Sequence, residues 1–410
     1  MADMTRSRAL RTERTTAQII RAYRGPALFS FGFRPFFLLA GGFAALAIPL
    51  WIGALLGGGG LAGALARDWH VHEMLYGYTA AVIIGYMIIA GANWTGHYPV
   101  AGLPVMLLAG LWLAGRAAML LAGPDKIAAM AIDAAFLPLF AAALWREQIA
   151  ARNRRNLVPC VVVALLAMAN IAFHLRGIWP DLGPASERMA LGVIALLIVV
   201  MGGRLVPSFT RNWLVQRRSG REPIPYGRFD LTVALVTAGA LALWQWFPYA
   251  RGTGLCLMLA GGANLVRMIR WRGWETWREP LVWSLHLGYL WLAFGFFLLG
   301  ASLWFGTAIP ATAAIHALAA GGIGVMTLAM MMRTTLSHTG RVRRGGVMTL
   351  IALLLINGAA LLRIAAPFAP VFVAELLIAS TVLWSGAFLI FTVVYGPMLA
   401  TRKTPRAGRA

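Results

Sequence analysis

Long apolar runs alternate along this chain with clusters of arginine, and the clusters fall in every second connection. About twelve runs occur, near 33–56, 71–95, 101–122, 127–146, 157–177, 187–207, 229–248, 252–269, 281–303, 310–332, 347–366 and 371–397. Each has the length a helix needs to cross a hydrocarbon layer. Basic residues collect before the first run (Arg6, Arg8, Arg11, Arg14, Arg21, Arg24) and between the fourth and fifth (Arg152, Arg154, Arg155). The series continues with Arg211, Arg217, Arg218, Arg221 and Arg228, then Arg270, Arg272 and Arg278, then Arg341, Arg343 and Arg344. It ends with Arg402, Lys403, Arg406 and Arg409. The connections between are nearly bare. Lys and Arg are retained on the cytoplasmic side, which puts both termini there. The expected fold is all-α: a polytopic membrane bundle of about twelve transmembrane helices. It forms one domain over 29–397 between basic cytoplasmic tails at 1–28 and 398–410.

A net charge of +22 suits nucleic acid in other settings. Here the cations lie in short clusters between apolar runs, so they belong to membrane topology and the expected partner is the lipid bilayer, not nucleic acid. With 60% hydrophobic and 12% charged residues, no stretch can form a soluble domain alone. The two cysteines, Cys160 and Cys256, lie inside apolar runs; no Cys-x-x-Cys-His is present for a c-type haem, and no zinc spacing occurs. Residues 1–24 are basic and polar with no cleavage signal following, which suggests a disordered cytoplasmic tail.

Chemistry concentrates in Trp69-His70-Val71-His72-Glu73-Met74-Leu75-Tyr76-Gly77, at the mouth of the second run. Two positions on a helix differ by about 200°, so His70 and His72 point in opposed directions and suit two neighbouring sites better than one. Glu73, three after His70, shares its face; Tyr76, four after His72, shares the other. Ionisable groups within spans are costly and usually functional.

Topology sorts the seven histidines. His70, His72, His174 and His316 fall on the outer side, whereas His97, His286 and His338 fall on the cytoplasmic side. Imidazole is a common axial ligand of haem and a common copper ligand, so all seven are candidate metal ligands, the outer four foremost. Small residues follow His316 (Ala319-Ala320-Gly321-Gly322-Ile323-Gly324), leaving a flat face for a porphyrin or for close helix packing. Gly77 and Gly85 allow the same two readings. Arg34 and Arg204 are candidates to hold cofactor carboxylates, with headgroup snorkelling as the alternative for Arg34. Arg333 and Arg363 also lie in spans, where Glu73, Asp133 and Glu375 are the few acidic groups. Glu73 and Tyr76 are the candidate catalytic residues, Glu73 as the foremost proton carrier.

Five separated segments carry a family resemblance: Phe31-Gly32-Phe33-Arg34-Pro35-Phe36-Phe37, Trp69 to Gly77, Asn93-Trp94-Thr95-Gly96, Gly203-Arg204-Leu205-Val206-Pro207-Ser208-Phe209, and His316 to Thr327. With them the chain resembles the NnrS family over nearly its whole length. The resemblance implies a bacterial inner-membrane protein of about twelve spans that carries haem and copper and is linked to nitric oxide metabolism or nitrosative stress. One or two b-type haems and copper are then the expected cofactors, and nitric oxide is the expected ligand or substrate. Quinol or an external cytochrome is the expected electron donor. The expected function is a nitric oxide reductase or detoxifying redox protein with its haem near the periplasmic side. A metalloprotein that binds or senses nitric oxide without turnover is the alternative. A secondary transporter is a third reading, but no repeat relates residues 1–205 to 206–410.

Overall fold

The computed structural model describes residues 22–57, 65–95, 101–123, 127–151 and 157–402. Among the described residues every regular element is helical, and 12 helices are long and apolar enough to cross a membrane. They are α1 (Phe33–Gly57), α2 (Arg67–Gly91), α3 (Leu103–Leu121), α4 (Ile127–Ala150), α5 (Leu157–Gly177) and α6 (Leu182–Gln216). Then come α7 (Arg228–Trp246), α8 (Arg251–Ile269), α9 (Pro280–Ala308), α10 (Ala311–His338), α11 (Val347–Phe368) and α12 (Pro370–Ala400). The chain is thus an all-α, multi-pass integral membrane protein. The longest, α6, outruns the expected span at both ends because its polar flanks, Leu182–Arg188 and Ser208–Gln216, continue the helix.

Neighbours in sequence are neighbours in space, and α12 packs back on α1, closing the series. α2, α10 and α6 are the most enclosed. Outward faces of the others carry Leu46, Leu107, Leu235, Leu259, Leu354 and Val382, all exposed. Apolar residues facing out are what a lipid solvent accepts. Within the bundle, contacts run through small residues. Gly321 and Gly322 of α10 lie against Trp291 and Leu292 of α9; a side chain at Gly321 would collide with Trp291, and one at Gly322 would crowd Leu292.

Three helices widen locally from α to π geometry: α2 at Glu73–Thr79, α10 at Ala317–Val325 and α12 at Phe391–Tyr395. A π turn holds an extra residue and upsets the regular pairing of carbonyls. Side chains compensate here: Thr79 Oγ1 donates to Met74 O at 2.7 Å and Trp112 Nε1 to Gly77 O at 3.0 Å. In α10, Thr327 Oγ1 donates to Ile323 O at 2.6 Å. The first two widenings begin within three residues of His70 and directly after His316, so each marks the helix where a candidate ligand sits.

Candidate metal and haem sites

His70 and His72 diverge into two separate environments at one end of the bundle. The ring of His72 enters a buried polar knot between α2, α3, α4 and α5. Its Nδ1 lies 3.0 Å from Glu73 Oε1, and its Nε2 lies 3.0 Å from both Asp133 Oδ2 and Asn170 Oδ1. His174 Nε2 reaches the same Asp133 oxygen at 2.9 Å, and Asn170 Nδ2 donates to it at 2.9 Å. Arg116 closes the far side, with Nη1 donating to Glu73 Oε2 at 2.9 Å and Nη2 to Asp133 Oδ1. All of these side chains are buried.

Asp133 therefore stands at the centre of the knot. Its place in an apolar run marks it in the sequence, but Asn170 and Arg116 are neutral or distant there and give no signal. Glu73 departs from the expected face: its carboxylate reaches His72, its chain neighbour, because Arg116 and Asp133 concentrate charge on that side. Gly77, one turn on, makes room for the Arg116 guanidinium. Tyr76 packs its ring 5.3 Å from that of His72, and its hydroxyl donates to Ser186 O at 3.0 Å.

Ligand atoms of His72, Asp133 and His174 lie within 4.8 Å of one another, the one group of three such residues found among the described residues. Two imidazoles and a carboxylate form a borderline donor set suited to copper or zinc. His174 Nδ1 is buried with no hydrogen-bond partner, and a cation bound at Asp133 would take the place of the ring protons that His72 and His174 now direct at it. The residues fit a divalent metal.

His70 faces the other way. Its ring stacks on the Trp51 indole, centroids 3.7 Å apart and planes 8° from parallel, and its Nδ1 is buried without a partner. Two adjoining hollows meet here. His70, His316 and Arg363 line both. His316 Nδ1 lies 2.7 Å from Thr312 O, which makes Nδ1 the protonated nitrogen and leaves Nε2 to ligate. Ala319 and Ala320 line the same space, while the glycines after them are used in packing, so the small-residue stretch serves both purposes. Arg363 has no carboxylate within ion-pair distance among the described residues, and a half-buried cation within a span is well placed to hold an anion. Arg67 pairs with Glu187 at 2.6 Å along the wider hollow. Imidazoles with free ring nitrogens, apolar walls and a lone arginine fit a haem with its propionates.

Other sequence candidates lie elsewhere. Arg34 is buried, and its Nη1 donates to Leu399 O at 2.8 Å and Thr401 O at 2.6 Å, capping the end of α12. Arg204 is exposed and lies 5.2 Å from the Tyr226 ring. Neither reaches the hollows. His286 meets Thr210 Oγ1 at 2.8 Å, and His338 sits 5.9 and 5.7 Å from the rings of Phe31 and Phe33. Arg333 lies 4.0 Å from the Phe209 ring. Glu375 is exposed on α12, away from both sites. His97 falls outside the described residues, as does most of the N-terminal tail.

A second ionic knot escaped the sequence reading altogether. Arg267 Nε donates to Asp230 Oδ1 at 2.8 Å and its Nη1 to Tyr289 at 3.0 Å, tying α7, α8 and α9 together.

No curated protein compared with this chain matches it. A family model described as NnrS protein matches residues 27–403, nearly the whole length. On that match, and on a bundle of twelve spanning helices with histidines gathered at one end, the chain belongs to the NnrS family.

Proposed function

We propose that this protein is a haem- and copper-bearing redox protein of the bacterial inner membrane that takes up nitric oxide and reduces it. The carrying observation is the divergence of His70 and His72 into two adjoining sites. One is an apolar hollow lined by His70, His316 and Arg363, which supports a haem; the other is the His72–Asp133–His174 group, which supports an ion. The family's tie to nitric oxide names the substrate.

His70 and His316 would hold the haem, and His72, Asp133 and His174 the copper. When bound, these groups supply the iron and copper that take up nitric oxide and pass it electrons. The remaining work falls to the chain. Arg363 offsets the negative charge of the propionates. Glu73 and Asp133, both anchored by Arg116, hold the His72 ring from its two nitrogens and fix its orientation. Tyr76, its hydroxyl committed to Ser186 O, is a positioning residue that backs the same ring. Reduction of two nitric oxide molecules takes up two electrons and two protons and yields one nitrous oxide and one water. Glu187 lines the wider hollow and is a partly exposed carboxylate through which protons can arrive. The arginine-poor connections put this end on the periplasmic face. Electrons come from quinol or an external cytochrome.

Purified protein with a reduced donor should consume nitric oxide and release nitrous oxide in a two-to-one ratio. Stoichiometric uptake that stops after one equivalent would replace reduction with binding or sensing.

A further inference from the structure

Below the histidine-lined hollow lies another, walled by α1, α2, α6 and α10. It sits at mid-span: its lining includes Ile83 and Tyr86 of α2, Met201 and Leu205 of α6, and Met326 and Met330 of α10. Its floor is buried, at Phe37, Ile83 and Val206. Its rim, at Tyr86, Met201, Leu205 and Met330, is half-buried, so the hollow opens outward at the depth of the hydrocarbon layer. No charged side chain lines it. A charged headgroup or ion has nothing to bind there.

The two hollows run down the same helix faces. Tyr78 lines the upper one and Val82, four residues on, the lower; Ile323 lines the upper and Thr327 the lower. Tyr78 and Thr327 stand where the two meet, the Tyr78 hydroxyl 2.6 Å from Thr327 Oγ1. Thr327 gives its single proton to Ile323 O, so Tyr78 is the donor. Phe388 and Trp384 pack on the Tyr78 ring, centroids 5.4 and 6.3 Å away. A molecule passing from one hollow to the other must part Tyr78 from Thr327, which favours a small one.

We infer that the mid-span hollow admits an uncharged diatomic gas from the hydrocarbon layer and delivers it past Tyr78 and Thr327 to the space lined by His70 and His316. The inference rests on the proposed function for the identity of the gas and for its destination. Apolar gases partition into hydrocarbon, so a side opening at this depth draws on the phase where nitric oxide is concentrated.

Xenon tests the hollow without any haem. Crystals of the purified protein held under xenon should show an atom between Ile83, Met201 and Met330, and crystals of Met330→Trp should not. An empty hollow, or one filled by a lipid chain, overturns the inference. Carbon monoxide tests the route. After flash photolysis of the reduced, haem-loaded protein, Met330→Trp and the milder Ile83→Phe should slow recombination several-fold and leave the absorption spectrum unchanged. Equal rates in all three proteins overturn the route. Xenon bound in a chain that never takes up haem supports the hollow as a gas site and rejects the haem reading, so the two failures are separable.

Discussion

His72 Nε2 and His174 Nε2 approach the same oxygen of Asp133, at 3.0 and 2.9 Å, although the histidines come from helices α2 and α5 and the carboxylate from α4. Two imidazoles focused on one buried carboxylate leave a point where a cation satisfies all three. His70, two residues before His72, takes no part and belongs to the adjoining hollow. In the proposed function these neighbouring residues hold different metals, which mutation should separate.

His72→Ala should keep the haem and lose copper. His70→Ala and His316→Ala should keep copper and lose haem or change its spin state. Copper by mass spectrometry and haem by pyridine haemochrome, on the same preparations, check both. Loss of haem from His72→Ala alone would reverse the assignment.

Arg116→Met should be the most destabilising change in the ion site. It strands Glu73 and Asp133 without their buried cation, at a cost of about 3–5 kcal/mol. Thermal unfolding in detergent should show a large drop, partly restored in Arg116→Lys. An unchanged melting temperature would mean that the knot is not formed.

Arg363→Leu should lower the midpoint potential of the haem. Removing a cation favours the more positive, oxidised form, and a loss of about 1.4 kcal/mol corresponds to about 60 mV for one electron. Redox titration followed by absorbance reads this directly. A potential unmoved by the change would place the propionates elsewhere.

Glu73→Gln keeps the shape of the side chain and removes its charge. Haem should be retained and nitric oxide turnover should fall by on the order of tenfold to a hundredfold, the scale of a lost partner that orients a ligand histidine. Full activity would mean that Glu73 does not fix the His72 ring.

The twelve spans were legible because a lipid solvent imposes one length and one polarity on every helix. The histidines were legible for the same reason, since few polar groups are tolerated there. Their opposed directions followed from helix geometry. The partners were not. Arg116 and Asn170 meet Asp133 across helix boundaries, and no periodicity in the chain records which helices touch. Arg267 and Asp230 are 37 residues apart and pair for the same hidden reason. The π turns at Glu73–Thr79 and Ala317–Val325 also left no pattern, because they are held by single hydroxyls, Thr79 and Thr327, that look like ordinary helix residues. Arg34 is the converse case. Its position near the start of a span suggested headgroup snorkelling or a cofactor carboxylate, and its guanidinium lies on the carbonyls at the end of α12, a contact that no pattern in the sequence records.

Haem bound by His70 and His316 is the core of the proposed function. A reduced-minus-oxidised absorption spectrum of the detergent-purified protein, with a pyridine haemochrome count, decides it. The native chain should show b-type bands, weakened or shifted in both His70→Ala and His316→Ala. A flat spectrum from haem-replete cells, or bands untouched by either substitution, would contradict it.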